Sequence, residues 1–439
     1  MKTAVSVVAA MLLGTPARAA SSGSFNVLSM NVAGLPAILN GNEVPGDKAT
    51  NAGIIGTKFA ELGYDLIHAQ EDFNYHAYVY ATDTHPYRTA TSGGVPFGSG
   101  LNTLSKYDWT SFTRVKWDEC SNASEFDCLT PKGFTFMRVE LDDGVYVDAY
   151  NVHTDAGTED GDLEARASNL QQVADYINTW STGNAVVVFG DTNSRYTRVG
   201  DIIPSFLTQG GLTDAQVELI LGGVAPTVEI LCSNPSTTNE CETVDKIFYR
   251  GSPLVDLTAT YWSYESDKFL QPDGNILSDH NPITTNFTWT SGASLRQSGF
   301  WGSAESTGTW FSDVPALSAK TAPKARVLSF RGANRLDSVA VTLGDGTTFS
   351  HGGTGGTEAT LTLESSEVWA SAQLCQGEKS GTTRNFYIHA TTSAGRTLEA
   401  GTATSDCATF AAPEGWAIVG FLGQDGDEMD QLAFVYAPQ

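Results

Sequence analysis

The chain has 439 residues, too many for one ordinary core, so two or three domains are expected. Its formal charge is −25, with 25 Lys and Arg against 50 Asp and Glu. That balance excludes a general phosphate-neutralising surface of the kind that drives non-specific nucleic-acid binding, while carboxylates gathered at one place could still hold a hard cation.

Residues 1–19 read as a secretory signal, with a basic start at Lys2, an apolar run from Ala4 to Leu13 and the small-x-small Ala17-Arg18-Ala19. The run is shorter than the roughly 18 to 20 apolar residues of a spanning helix. The expectation is therefore a secreted, soluble protein. Export makes the six cysteines candidates for disulfides. The simplest pairing joins sequence neighbours: Cys120 with Cys128, Cys232 with Cys241, and Cys375 with Cys407. Asn, Ser and Thr around the first four predict exposed loops. Zinc is disfavoured, since no Cys-x-x-Cys occurs. Asn122 and Asn286 begin glycosylation sequons.

From about residue 24 to 289 short apolar runs alternate with helical periodicity. "NAGIIGTKFAELG" puts Ile55, Phe59 and Leu62 on one face, with Gly63 as a C-cap. "EARASNLQQVADYINTW" does the same with Ala167, Leu170, Val173, Ile177 and Trp180. Between them "DLIHAQE", "VYVDAYNVH", "AVVVFGDTN", "VDKIFYR" and "LSDHNPI" read as strands that close on polar residues. Strands mixed with helices in this order predict an α/β or α+β sandwich. After Trp289 the texture turns to Gly, Ser and Thr with short strands and no helix, which predicts an all-β module. A boundary follows near residues 290 to 297.

The polar strand ends are the candidate site: Asn31, Glu71, His153, Asp191 with Asn193, Asp245, and Asp279 with His280. Singly, each has a plain reading as a turn residue. Together they suit metal-assisted attack of water on phosphorus. Glu71 and Asn31 can hold a hard divalent cation. A histidine oriented by a carboxylate can take the proton of water near neutral pH. The second histidine can donate to a phosphate oxygen or the leaving group.

"MNVAG", "AQE", "NVHT", "VVFGDTN", "VDKIF" and "LSDHNPI" occur in this order and resemble the successive motifs of the endonuclease/exonuclease/phosphatase superfamily. The resemblance implies a DNase I-like four-layer α/β sandwich over residues 20–290. It implies that Asn31 and Glu71 bind Mg²⁺ or another divalent cation, with Asp279 at or beside it. Asp191 and Asn193 would position water and phosphate, His280 would be the base oriented by Asp245, and His153 would stabilise the transition state. "CLTPKGFTFMRVEL" before "NVHT" is most similar to the sphingomyelinase C branch. That implies a phospholipase C-type phosphodiesterase acting on sphingolipids or related phospholipids at a membrane surface. An aromatic hairpin touches membrane in that branch, and Tyr261 and Trp262 are the candidates here. The acid-rich "HTDAGTEDGD" leaves the head group open, and Arg195 and Arg198 could grip a second phosphate or form surface pairs. An extracellular nuclease is the alternative enzyme.

"GFWGSAESTGTWFSD", "RLDSVAVTLGDGTTFSHGGTGG" and "IVGFLGQDGDEMDQLAFVY" resemble the motifs of jacalin-type lectins. This implies a β-prism over 297–439 that binds glycans. Asp430 would accept from sugar hydroxyls, with Gly302, Asp427 and Glu428 nearby. The chain departs from the family at Gly302-Ser303-Ala304-Glu305, which could narrow the sugar site or abolish it. A lectin with a vestigial catalytic half is the third reading.

Overall fold

The computed structural model describes residues 22–36, 38, 44–124, 127–304 and 308–439. The expected signal, residues 1–19, and Glu305 lie outside the described residues.

The first half opens with β1 (Ser22–Asn31), α1 (Lys48–Leu62), β2 (Leu66–Gln70), α2 (His76–Thr82), β3 (Tyr87–Arg88) and β4 (Asn102–Ser105). It continues with β5 (Trp109–Lys116), β6 (Gly133–Asp142), β7 (Val145–His153), α3 (Asp160–Trp180) and β8 (Ala185–Asp191). Then come α4 (Ile203–Gly210), β9 (Thr213–Asp214), α5 (Ala215–Leu219), β10 (Asp245–Arg250), β11 (Val255–Tyr264) and β12 (Ile283–Ser291). Two six-stranded sheets result, in the orders β11-β12-β1-β2-β4-β3 and β5-β6-β7-β8-β10-β9.

Their inner faces meet through Val27 and Leu66 from one sheet and Ala149, Val187, Phe189 and Ile247 from the other. The alternate residues face outward. Leu28, Met30 and Ile67 pack under Ile55 and Phe59 of α1, and Val152, Val186 and Val188 pack under Leu170, Val173 and Ile177 of α3. Helix, sheet, sheet and helix make the four layers, and burial on both faces explains why "AVVVFG" is apolar without alternation. Asp47 caps α1 by accepting from Thr50 N at 2.8 Å, and Gly63 ends it in the left-handed region at φ 66.

The second half begins with β13 (Arg296–Gln297), β14 (Trp301–Gly302), β15 (Thr309–Ser312), α6 (Val314–Ser318), β16 (Ala325–Gly332), β17 (Leu336–Leu343) and β18 (Thr348–Gly352). It ends with β19 (Thr357–Thr362), β20 (Trp369–Lys379), β21 (Thr382–Thr392), β22 (Thr397–Gly401), β23 (Asp406–Ala411), β24 (Trp416–Asp425) and β25 (Met429–Pro438). Three sheets, β13-β25-β24-β15, β18-β17-β16-β19 and β22-β21-β20-β23, enclose Leu328, Val339, Trp369, Leu374, Phe421 and Phe434. The expectation of no helix past Trp289 is corrected by α6, five residues opened by a proline and buried through Val314 and Leu317.

All three sequence-neighbour cystine pairs form. The third closes no loop tip, because Cys375 and Cys407 are register partners across β20 and β23.

The two halves meet at one end of the sandwich. A side chain on Gly144, in the β6–β7 turn, would run into the Gln297 carbonyl, and one on Gly183, in the α3–β8 turn, would meet Ser312 and Val314. At the centre of the joint Arg138 is 1% exposed. It donates to both Asp148 oxygens at 2.7 and 3.0 Å and to the Trp180 carbonyl at 2.9 Å. Its guanidinium lies 3.8 Å over Trp310 and 5.3 Å from Phe300 of the second half.

Candidate active site

Strand register carries the predicted residues to the opposite end. The parallel β7–β8 pair sets His153 against Asp191, and the antiparallel β8–β10 pair sets Asp191 against Asp245. In the other sheet Asn31 ends β1 beside Gln70, one residue before Glu71. The β11–β12 connection delivers Asp279 and His280 just ahead of Ile283, which faces Tyr264.

Asp191 is the hub. Its Oδ2 accepts from Asn31 Nδ2 at 3.2 Å and faces His153 Nε2 at 3.5 Å and His280 Nε2 at 3.7 Å. Its Oδ1 accepts from the Asn193 N–H at 3.0 Å. Asn31 Nδ2 also donates to Glu71 Oε1 at 3.1 Å, so one amide joins two carboxylates. The oxygen expected to meet a cation accepts instead from Ala33 N–H at 3.0 Å. Asn31 therefore acts here as a donor to carboxylates, and ligation through its oxygen requires the amide to turn over.

Asp245 accepts from His280 Nδ1 at 3.0 Å. Ser278 supports the same corner, donating to the Asn31 carbonyl at 2.6 Å and accepting from His280 N–H at 3.1 Å. Asp279 is exposed at the lip, and its charge reaches Glu71, Lys48 and His280. Two polar residues hold left-handed backbone, Glu71 at φ 54 and Asn193 at φ 46, which concentrates strain at the site. Close approach also demands Gly34, where a Cβ would stand 2.2 Å from the Glu71 carbonyl oxygen.

The histidines are driven apart electrostatically. Burial, aided by the Lys132 charge, pushes His153 down to about 3, so it is neutral near neutral pH. Burial also opposes charge on His280, but Asp245 and Asp191 outweigh it and hold the imidazolium well above its ordinary value. Burial raises Glu71 and Asp245. It also works to raise Asp191, but His280, His153 and Lys132 bring that carboxyl below the usual range. Such divergence in one cleft marks a functional site.

Lys132, within "CLTPKGFTFMRVEL", is a site residue that the motifs do not reveal. Its side chain is 11% exposed and ion-paired with Asp127, and it acts on Glu71 and Asp191 through its charge. The signal that could have found it is position, since Lys132 immediately precedes β6, whose Phe134 pairs with Val152 beside His153. Arg195 is engaged by Glu229 at 3.1 Å. Arg198 donates to the Asn193 carbonyl at 2.7 Å, so it braces the site.

The donor set fits a hard divalent cation. Glu71 and Asp191 offer carboxylate oxygens tied together through Asn31, with the charge of Asp279 acting on Glu71 from the lip, while Asp245 and His280, whose ligand atoms also lie within 4.8 Å of that of Asp191, are engaged with each other.

Of the two predicted contact sites, the aromatic one is corrected at Trp262, and the sugar site has its acceptor ion-paired. Trp262 is 2% exposed and edge-on to Tyr264 at 4.8 Å, whereas Tyr261 is 46% exposed. A register shift between Ala259 and Tyr261 turns both Thr260 and Tyr261 outward and sends Trp262 inward. In the prism, Gly302 does lie against Asp430, and Asp427 is exposed. The Asp430 carboxylate, however, is 2% exposed and accepts from Arg384 Nη1 at 2.6 Å. Glu428 is buried and gripped by Arg335 and Lys379. The predicted sugar acceptor is thus an ion-paired buried group.

A two-sheet sandwich with a carboxylate and histidine centre at one end is joined at the other to a three-sheet prism. Residues 49–223 match the family model described as Endonuclease/Exonuclease/phosphatase family 2, and residues 298–435 match that of the Jacalin-like lectin domain. The chain carries an endonuclease/exonuclease/phosphatase domain followed by a jacalin-like domain. It is 38% identical over 273 residues to a sphingomyelinase of Mycobacterium tuberculosis, covering 61% of this chain and 53% of that protein. The chain therefore spans about half the length of the curated relatives it matches. Among solved structures, sphingomyelinase C from Streptomyces griseocarneus aligns at 17% identity and TM-score 0.43, over 60% of this chain and 99% of that one. A mannose binding jacalin related lectin from Ananas comosus aligns at 22% identity and TM-score 0.29, over 33% and 99%.

Proposed function

We propose that the first domain is a secreted, Mg²⁺-dependent phosphodiesterase of phospholipase C type, acting on sphingolipid or related phospholipid head groups. The observation that carries it is the Asp191 hub, where one carboxylate faces both histidines while Asp245 fixes the far side of His280.

In this reading His280, oriented by Asp245 through Nδ1, takes the proton of the attacking water at Nε2, the nitrogen that faces Asp191. The water oxygen bonds to phosphorus as the bond to the lipid oxygen breaks, and the departing oxygen takes a proton from solvent water to leave as the alcohol, while the proton on His280 returns to solvent. His153, neutral, donates an N–H to a phosphate oxygen without adding charge. Lys132 supplies a fixed positive charge opposite the developing negative one. A divalent cation held by Glu71, Asp191 and Asp279, with Asn31 turned over, would neutralise these carboxylates, free His280 to act as a base and withdraw charge from the phosphoryl oxygens. Three disulfides support the reading of export.

The purified chain with Mg²⁺ is expected to release phosphocholine from sphingomyelin, or the phosphorylated head group of a related lipid, and EDTA is expected to stop it. Cleavage of plasmid DNA with no lipid turnover overturns the lipid assignment. Glycan targeting by the prism is part of the proposal, and it requires Arg384 to release Asp430. Glycan-array binding that Asp430→Ala weakens supports it, and a blank array rejects it.

A further inference from the structure

Among the described residues the exposed large apolar side chains are unevenly distributed, and none lies beyond Tyr261. Phe97 (85% exposed), Leu129 (58%), Val199 (91%), Val224 (69%), Val228 (69%) and Ile230 (58%) come from four separate loops. Each loop opens onto the catalytic rim. The Phe97 loop packs on Asn74 through Val95 and returns its Gly100 carbonyl to Asp72, beside Glu71. The Leu129 loop leads into Lys132. Val199 follows Asp191 and Asn193, and the segment with Val224, Val228 and Ile230 leads into Asp245. At the opposite end such residues are fewer: Leu62, where α1 returns to the start of β2, and Tyr87, whose register partner Ser105 faces Leu66.

These tips do not form one patch. They ring a polar, acid-lined mouth and are interleaved with exposed carboxylates such as Asp118, Glu119 and Glu229. A partner that touches all of them must be broad, must meet the ring while leaving its centre polar, and must tolerate the acids between. Single apolar side chains on loops suit shallow insertion at a bilayer interface. A charge of −25 opposes any anionic surface.

We propose that this ring of loop tips is the lipid-docking surface, which seats the catalytic mouth on an uncharged or zwitterionic bilayer and leaves the prism at the far pole. The proposal rests on the phosphodiesterase reading for its purpose. Its test is separate.

The full chain is centrifuged with phosphatidylcholine vesicles free of sphingomyelin. Combining Phe97→Ser, Val199→Ser, Val228→Ser and Ile230→Ser is expected to weaken partition at least ~10-fold, since interfacial binding scales with the apolar area inserted. Leu62→Ser is expected to change nothing. Adding phosphatidylserine or salt is expected not to strengthen binding. The combined variant should also lose sphingomyelin turnover on vesicles while keeping turnover of a water-soluble phosphodiester and its melting temperature. Equal partition of wild type and combined variant overturns the surface. So does a wild type that ignores vesicles and runs as two chains, which assigns the tips to self-association. Tip-dependent vesicle binding with no hydrolysis of any phosphodiester supports the surface and rejects the catalytic reading.

Discussion

The two poles of the sandwich are built by opposite rules. At the pole of the candidate site the longest connections span residues 32–47, 117–132, 220–244 and 265–282, and the same pole holds the left-handed Glu71 and Asn193, the titratable cluster and exposed apolar tips such as Phe97 and Val199. At the other pole the connections are short, such as 63–65, 143–144 and 181–184, and the prism packs against the last two of these. One scaffold thus separates chemistry from joining. Variation in the long loops can change substrate without loosening the joint, because the shared strands are buried on both faces.

The strongest way to break the joining pole is Arg138→Ala. It leaves Asp148 buried without its cation and removes the stack under Trp310, so a loss of about 3–5 kcal/mol is expected. Denaturant unfolding checks this, and turnover per folded molecule should survive if the poles are independent. Asp245→Asn breaks the catalytic pole instead. Turnover should fall at least ~10-fold as His280 loses its orientation and charge partner, with its pH profile shifted toward a lower His280 value, and stability should change little.

A smaller contrast separates the two domains on acidification. His68, buried and stacked on Phe189 at 3.6 Å, is pushed by burial from 6.5 to about 3. Its folded value is depressed, so the stability it contributes is full above pH 6.5 and drains as pH falls toward 3. In the prism, hydrogen bonding from Arg335 and Lys379 lowers Glu428 from 4.5 to about 2, so that contribution persists until pH falls below 4.5. Hydrogen exchange during acid titration should show the sandwich opening before the prism, and the reverse order breaks the contrast.

The sequence showed most clearly what repeats along it. Strands ending in polar residues gave Asn31, Glu71, His153 and Asp191, and Asp245 opens its strand, because parallel and antiparallel register places such strand ends together once the sheets form. Helix periodicity located α1 and α3 for the same reason. What stayed hidden depends on a single residue or a distant partner. The one-residue shift at Ala259 inverted Trp262, which strict alternation could not foresee. Asp430 fits its motif, yet Arg384, 46 positions away, takes its oxygen. Lys132 showed no pattern beyond its neighbours, and its role is visible only when β6 is laid against β7. The Asn31 amide is chemically two-faced, and only its neighbours decide which face meets the carboxylates.

The central claim, that the Asp191 hub is a hydrolytic centre with His280 as its base, is tested most directly by one comparison. Phosphocholine release from sphingomyelin is measured in the presence of Mg²⁺ for the full chain and for His280→Ala, each shown to be folded by its melting transition. The account predicts at least ~10²-fold lower turnover in the variant. Turnover equal to that of the unaltered chain would contradict it.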